Sequence, residues 1–243
     1  MTEEAASPHL FLLQLSDSAL PIGGFSNSWG FETWVQAGVL KTRQDAREAI
    51  LSLLSASIAP QDGVACGLSW QFYAANNQNA FVELNNYLTA SRWTAETLNA
   101  SLNMGRRLFQ LAESAFNYPG GKLQPHLPIA SLQGDTTSLP SGVAGVHHCA
   151  AFGWLAAWAH ISQRQSVEAY LYSSIAALVS ACVRLIPLGH TEGQKILAEL
   201  RPSISEIAPK LLDKNITDMG SFAPLHEWAS HHHESLYSRL FQS

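Results

Sequence analysis

Apolar residues along the chain recur at helical spacing. The clearest set is Val167, Tyr170, Leu171, Ile175, Leu178, Val179, Cys182 and Ile186, whose steps of one, three and four share one face of a 3.6-residue turn. A helix is predicted over Val167–Ile186, with Ser166 as its N-cap and Pro187 and Gly189 as its stop. Earlier in the chain, Ser7-Pro8 opens a helix over Leu10–Leu15, and Pro21, Gly23 and Gly24 break it. Ser26–Ala37 reads as a helix with Gly38 at C′. Thr42 caps a helix carrying Ala46, Ile50, Leu53 and Leu54, which ends before Pro60. Asp62–Ala75, Ala80–Ala90 and Ala95–Phe116 follow, the first two separated by the polar connector Asn76–Asn79. Further on, helices are predicted over Val146–His160, from the capping box Thr191-Glu-Gly-Gln194 to just before Pro202, over Ser203–Lys214, and from Pro224 to at least Ser230. Asp218–Ser221 is a loop. No strand-like alternation of four or more residues stands against this pattern.

Residues 117–145 differ. Five glycines and four prolines fall there, so a long loop is expected, with one helical turn near Leu127–Leu132. The flanking halves look equally helical, which favours a crossover within one domain over a linker between two. The expectation is an all-α, single-domain bundle of about ten helices spanning 1–243. Residues 1–8 are read as a flexible N-terminal tail and 235–243 as a C-terminal tail.

Composition sharpens this. Only 14% of the 243 residues are charged, against about 25% in an average domain. Seven Trp and ten Phe exclude a disordered chain. A net charge of −5 gives no footprint for nucleic acid. Asp62 is the one charge between Glu48 and Glu83, and only Arg164, Glu168 and Arg184 fall between Asp135 and Glu192. Desolvating a charge is costly, so these stretches are buried or face a partner. The apolar run Ala169–Val183 stops at Arg184, short of the ~20 residues a membrane span needs. With no basic n-region at the N-terminus, a cytoplasmic chain away from membranes is expected. Cys66, Cys149 and Cys182 form no C-x-x-C pair and read as buried apolar residues.

Catalytic motifs are missing. There is no Walker-type phosphate loop, no G-x-G-x-x-G after a strand and no G-x-S-x-G elbow, so no catalytic residue is assigned. His226-Glu227-Trp-Ala-Ser230-His231 resembles a zinc-protease helix, but His231 falls at i+5, about 100° off the face that i+4 occupies. Glu227, His231 and Glu234 do share a helical face at i, i+4 and i+7, a weak candidate for a transient nickel or zinc ion; a solvated polar face is the plainer reading.

Two segments are more unusual. Behind Pro21-Ile-Gly23-Gly24 come Phe25, Ser26, Ser28, Trp29, Phe31 and Trp34, with Glu32 among the aromatics. At the C-terminus, Leu236, Tyr237, Leu240 and Phe241 surround Arg239. Aromatic residues and Arg are the types that anchor interfaces, though the tail docking on its own domain is an equal alternative. Arg184 either complements the dipole at the end of its helix or projects toward a partner.

At these residues the chain resembles the UreF family of urease accessory proteins. Four blocks carry the likeness: Leu15–Glu32, Arg184–Gln194, Gly220–Pro224 and His233–Ser243. Together they span nearly the whole chain in the family's order, and residues 76–135 contribute nothing to the match. The resemblance implies an all-α homodimer that is not an enzyme. It implies an adaptor between the accessory protein UreD (UreH in some organisms) and the GTPase UreG, regulating GTP hydrolysis while nickel is delivered to apo-urease. It places Glu32 and Arg184 toward UreG, and the tail residues Tyr237, Arg239, Leu240 and Phe241 with UreD. The N-terminal motif Pro21, Gly23, Gly24, Phe25, Ser26 and Ser28 belongs to the UreD-binding end as well. No cofactor is implied, nickel being handled by the complex. The alternatives are a nickel-storing chaperone using the C-terminal histidines and, less compatibly with the spacing, a metal-dependent hydrolase using His226 and Glu227.

Overall fold

The computed structural model describes residues 7–24, 27–119 and 145–233. It is all-α. The elements are α1 (Pro8–Leu15), α2 (Phe31–Gln36), α3 (Arg43–Leu53), a π-helical segment (Leu54–Gly63), α4 (Val64–Ala74), α5 (Gln78–Ser91) and α6 (Ala95–Ala115). Then come α7 (His148–Trp158), α8 (Gln163–Leu185), α9 (His190–Leu211), a 3₁₀ turn (Ile216–Asp218) and α10 (Pro224–His233). No strand occurs among the described residues.

The bundle is organised around α7, whose residues from Cys149 to Ala157 are all buried. It packs against α4, α6 and α8. Small residues make this possible. A Cβ on Gly153 would lie 2.1 Å from the Cys66 carbonyl oxygen of α4, and one on Gly105 of α6 would lie 1.8 Å from the Val146 oxygen. Ser69 Oγ of α4 donates to the Ala150 oxygen at 2.6 Å in the same crossing. Trp154 fills the centre, between Phe81 and Tyr73, with its indole N–H donating to Tyr118 Oη at 2.9 Å. A helix buried on every side has no place for charge, which accounts for the uncharged sequence around it. Because α4 and α6 precede residues 117–145 and α7 follows them, the two halves share one core.

Capping chemistry sets several helix starts. Thr42 caps α3 as expected, and the structure adds a reciprocal box with Asp45, Thr42 N–H donating to Asp45 Oδ2 at 2.9 Å and Asp45 N–H to Thr42 Oγ1 at 3.2 Å. Backbone hydrogen bonds from Lys41 and Thr42 hold the Asp45 carboxyl below its usual range. Gly38, at φ +70°, follows α2 as predicted.

Other expectations are corrected. Pro60 does not end a helix: α3, the π-helical segment and α4 form one rod, because the wider i→i+5 turn accommodates a residue with no N–H. Pro202 and Pro209 likewise lie inside α9, which fuses the two helices expected there. The α8 cap is Ser162, a turn before the apolar stripe begins; Ser166 is buried and donates to the Ser162 oxygen at 2.8 Å. The helix starting at His190 has Gly189 as its N-cap, with no Thr191 box. Glu192 instead pairs with Lys195 at 2.6 Å and Arg43 at 3.1 Å. α2 begins at Phe31 rather than Ser26, since Trp29 and Gly30 take positive φ (53° and 80°). Pro8 is already helical, so it does not belong to a tail. Phe25, Ser26, residues 120–144 with the turn expected at Leu127–Leu132, and the tail 235–243 lie outside the described residues.

Two helical stretches, Arg43–Ala74 and Gln163–Leu185, are long and apolar enough to cross a membrane by length and composition, and half of each apolar window is buried within the fold. All three cysteines are free and buried, and burial pushes their thiols up, Cys182 to about 12.

One polar knot ties α5 and α6 to the start of α7. The fully buried His147 accepts from Ser101 Oγ at Nδ1 (3.0 Å). Thr89 Oγ1 donates to the Asn85 oxygen, leaving it to accept from His147 Nε2 at 3.1 Å. Because burial keeps the ring neutral and Thr89 Oγ1 is already donating, the ring proton sits on Nε2. Burial, followed by the Arg92 charge, lowers the His147 pKa to about 3. The unfolded chain binds this proton near pH 6.5 while the native one does not, so acidification lowers stability between about pH 6.5 and 3. Between pH 7 and 5 this residue alone should cost about 2 kcal/mol. Urea denaturation at both pH values checks this: a His147→Gln variant should lose about that much less on acidification, and an equal loss in both proteins contradicts the assignment.

Candidate functional site

The N-terminal motif forms a platform on which α10 rests. Pro21 is exposed and Ile22 is buried beneath it. Gly23 turns the chain at φ +92°, a conformation that favours glycine, with the end of the Arg107 side chain over it. Gly24 passes over Met104. Asn27 is buried, its amide donating to the Gly23 oxygen (3.5 Å) and contacting Met104 Sδ (3.6 Å). Ser28 is also buried, with no partner for its hydroxyl among the described residues. Gly30 then admits α10: a Cβ there would be 3.0 Å from both the nitrogen and Oγ of Ser230.

α2 presents Phe31, Glu32, Thr33 and Trp34 to α10. Phe31 and Trp34 stack at 5.4 Å, and His226 meets the edge of both. Burial lowers the His226 pKa to about 4, so this imidazole is neutral near pH 7. Thr33 Oγ1 donates to the Ala229 oxygen at 2.9 Å. Glu32 is only 3% exposed. Its Oε2 accepts from Nε2 of the fully buried His233 at 3.0 Å, and His233 Nδ1 lies 3.4 Å from Glu96 Oε2 of α6.

The other face of α10 is open. Leu225 (74% exposed) and Trp228 (51%) stand on it, Phe222 (81%) lies just ahead of the helix, and His232 lies over Trp228 at 4.1 Å. His231 is exposed and Glu227 half-buried, its carboxyl raised by burial. Glu234, the third member of the candidate metal face, lies outside the described residues. Among the described residues no group of three His, Cys, Asp or Glu side chains is placed to hold a metal ion.

Arg184 is exposed at the end of α8, with Nε donating to the Ser180 oxygen at 3.2 Å and burial lowering its pKa somewhat. It stands on the wall of a cleft that also takes in Asp62, Arg92, Tyr170 and Glu227. Asp62 and Arg92 form a largely buried ion pair at 2.5 Å on that wall. Thus the structure places Glu32 in the interior and Arg184 at the surface, rather than side by side. Tyr237, Arg239, Leu240 and Phe241 lie outside the described residues. Sequence reading missed His233 and Glu96 as partners of Glu32; the available signal was the helical spacing of His226, Ser230 and His233, all on the inner face of α10.

A family model described as UreF matches residues 40–201. The chain is 32% identical to the urease accessory protein UreF of a Bacillus species (strain TB-90) over 234 residues, covering 96% of this chain and 98% of that protein. It is also 32% identical to the protein of that name from a Nostoc species over 235 residues, covering 96% and 95% of the two chains. A third such protein, from Trichormus variabilis, is 31% identical over the same shares. With the helical bundle, the glycine-turned N-terminal platform and near full-length matches in agreement, the chain belongs to the UreF family of urease accessory proteins.

Proposed function

We propose that the chain is a urease-maturation adaptor that joins UreD (or UreH) to the GTPase UreG and regulates GTP hydrolysis during nickel delivery to apo-urease. The relatives' shared name supports an accessory role in urease maturation, and an accessory protein is not itself the catalyst. The observation that carries the finer reading is the outer face of α10. Phe222, Leu225 and Trp228 are large, apolar and exposed, directly ahead of the apolar tail 235–243. Aromatic anchors rimmed by polar groups are the composition of a protein interface. Tyr237, Arg239, Leu240 and Phe241, which follow α10 in sequence, bind UreD, and exposed Arg184 supplies a charge for UreG. The adaptor acts as a homodimer in the cytoplasm, and nickel passes through the assembly without a resident site here.

Co-expression with UreD and UreG tests this against the storage alternative. The full chain should be recovered in a stoichiometric complex with both partners. Alone, it should bind well under one nickel ion per chain by calorimetry. Stoichiometric nickel binding without partners, lost in His231→Ala, would support storage instead.

A further inference from the structure

Glu32 is a carboxylate sealed inside the protein, and it is hydrogen-bonded to α10. Its Oε2 accepts the His233 Nε2 hydrogen bond at 3.0 Å, and the same imidazole approaches Glu96 Oε2 at 3.4 Å. One residue along, Thr33 Oγ1 holds the Ala229 oxygen at 2.9 Å. Beneath them, Gly30 leaves just enough room for Ser230. These contacts fall on the last five residues of α10, and the C-terminal segment leaves from His233.

A side chain 3% exposed cannot meet a partner without first losing its bond and being resolvated. The geometry points to a different role: Glu32 is a positioning residue that works through His233, clasping the last turn of α10 to the N-terminal motif. The clasp thereby couples the motif to the point from which the tail departs. For its partners this inference rests on the adaptor reading. A partner that binds only seated α10 has an apparent Kd equal to its intrinsic Kd divided by the seated fraction, so loosening the clasp weakens capture as that fraction falls. A hydrogen bond to a charged group is worth at least about tenfold in that population.

The test uses the full chain with its UreD and UreG partners and five variants: Glu32→Gln, His233→Gln, the double variant, Thr33→Val and Arg184→Ala. Hydrogen exchange of the peptide 224–233 reads the clasp directly, and exchange of α7 reads global folding. Glu32→Gln and His233→Gln should each speed exchange in α10 about tenfold without altering α7. The double variant should be no faster than His233→Gln alone, because both singles weaken the one Glu32–His233 bond and only His233→Gln also gives up the approach to Glu96. The apparent Kd for partner capture should rise in parallel. Thr33→Val, at another buried position, should move both readouts in the same direction. Arg184→Ala should lower UreG capture without touching α10 exchange.

The clasp is overturned if Glu32→Gln loses UreG capture while α10 exchange stays at the wild-type rate, or if the two single effects simply add. Should Glu32→Gln unfold the whole chain, Thr33→Val decides by the same two readouts. If exchange behaves as expected but the wild-type chain captures neither partner, the adaptor reading falls and the clasp stands.

Discussion

Deleting residues 235–243 is expected to abolish capture of UreD and activation of urease while leaving the helical fold intact. The deletion begins beyond every described contact that seats α10: Thr33 to Ala229, Gly30 against Ser230 and Glu32 to His233. Circular dichroism and the thermal midpoint should therefore stay close to wild type. The segment removes Leu236, Tyr237, Arg239, Leu240 and Phe241 together. Buried aromatic or Arg anchors contribute about 2 kcal/mol or more each, so losing two lowers affinity by roughly a thousandfold, beyond what a pull-down retains. Full-strength recovery of UreD by the truncated chain would sink the assignment of the tail.

The largest effect on stability is expected at Gly153. A Cβ there would sit 2.1 Å from the Cys66 oxygen and 2.9 Å from its carbonyl carbon, and neither belongs to a side chain that can swing aside. The gain in helix propensity on replacing Gly by Ala, about 1 kcal/mol, is outweighed because α4 and α7 must be driven apart along this crossing. Gly153→Ala should cost about 3 kcal/mol net and lower the melting temperature by roughly 6–12 °C. Gly153→Leu should leave little soluble protein. The control lies one residue on from Cys66, where α4 packs on α8: a Cβ on Gly67 would meet only the side chains of Gln163 and Val167, both at 3.4 Å. Gly67→Ala should be neutral or raise the midpoint by a few degrees. If both substitutions shift the midpoint alike, the close approach is not what limits this crossing.

These two glycines show where sequence reading stops. Long periodic helices such as α6 and α8 were legible because their stripes are repeated over several turns. Thr42 was legible as a cap because capping is local, although the same local reasoning placed a box at Thr191 that does not form. Gly67 and Gly153 look the same in sequence, and only the distance to the facing backbone separates them. Pro60 and Pro202 were read as stops, yet both sit inside helices. At the candidate site, Glu32 stood out as a charge among aromatics, but its partner is 201 positions away and no local pattern connects them. His233 was hidden in a run of three histidines that invites a metal reading. The structure splits that run, with His231 and His232 exposed and His233 buried.

The π-helical stretch Leu54–Gly63 has a consequence for how this chain tolerates changes in length. Each residue in a π turn advances by less than the 100° of an α-helix, so the stretch works as a phase shifter within one continuous rod. Upstream, α3 lays its face on α9; downstream, α4 lays a differently rotated face on α7. Removing a residue here would do more than shorten the rod by one rise. It would turn Cys66 and its neighbours away from Gly153, so insertions and deletions in this stretch should be treated as rotations of one half of the molecule against the other.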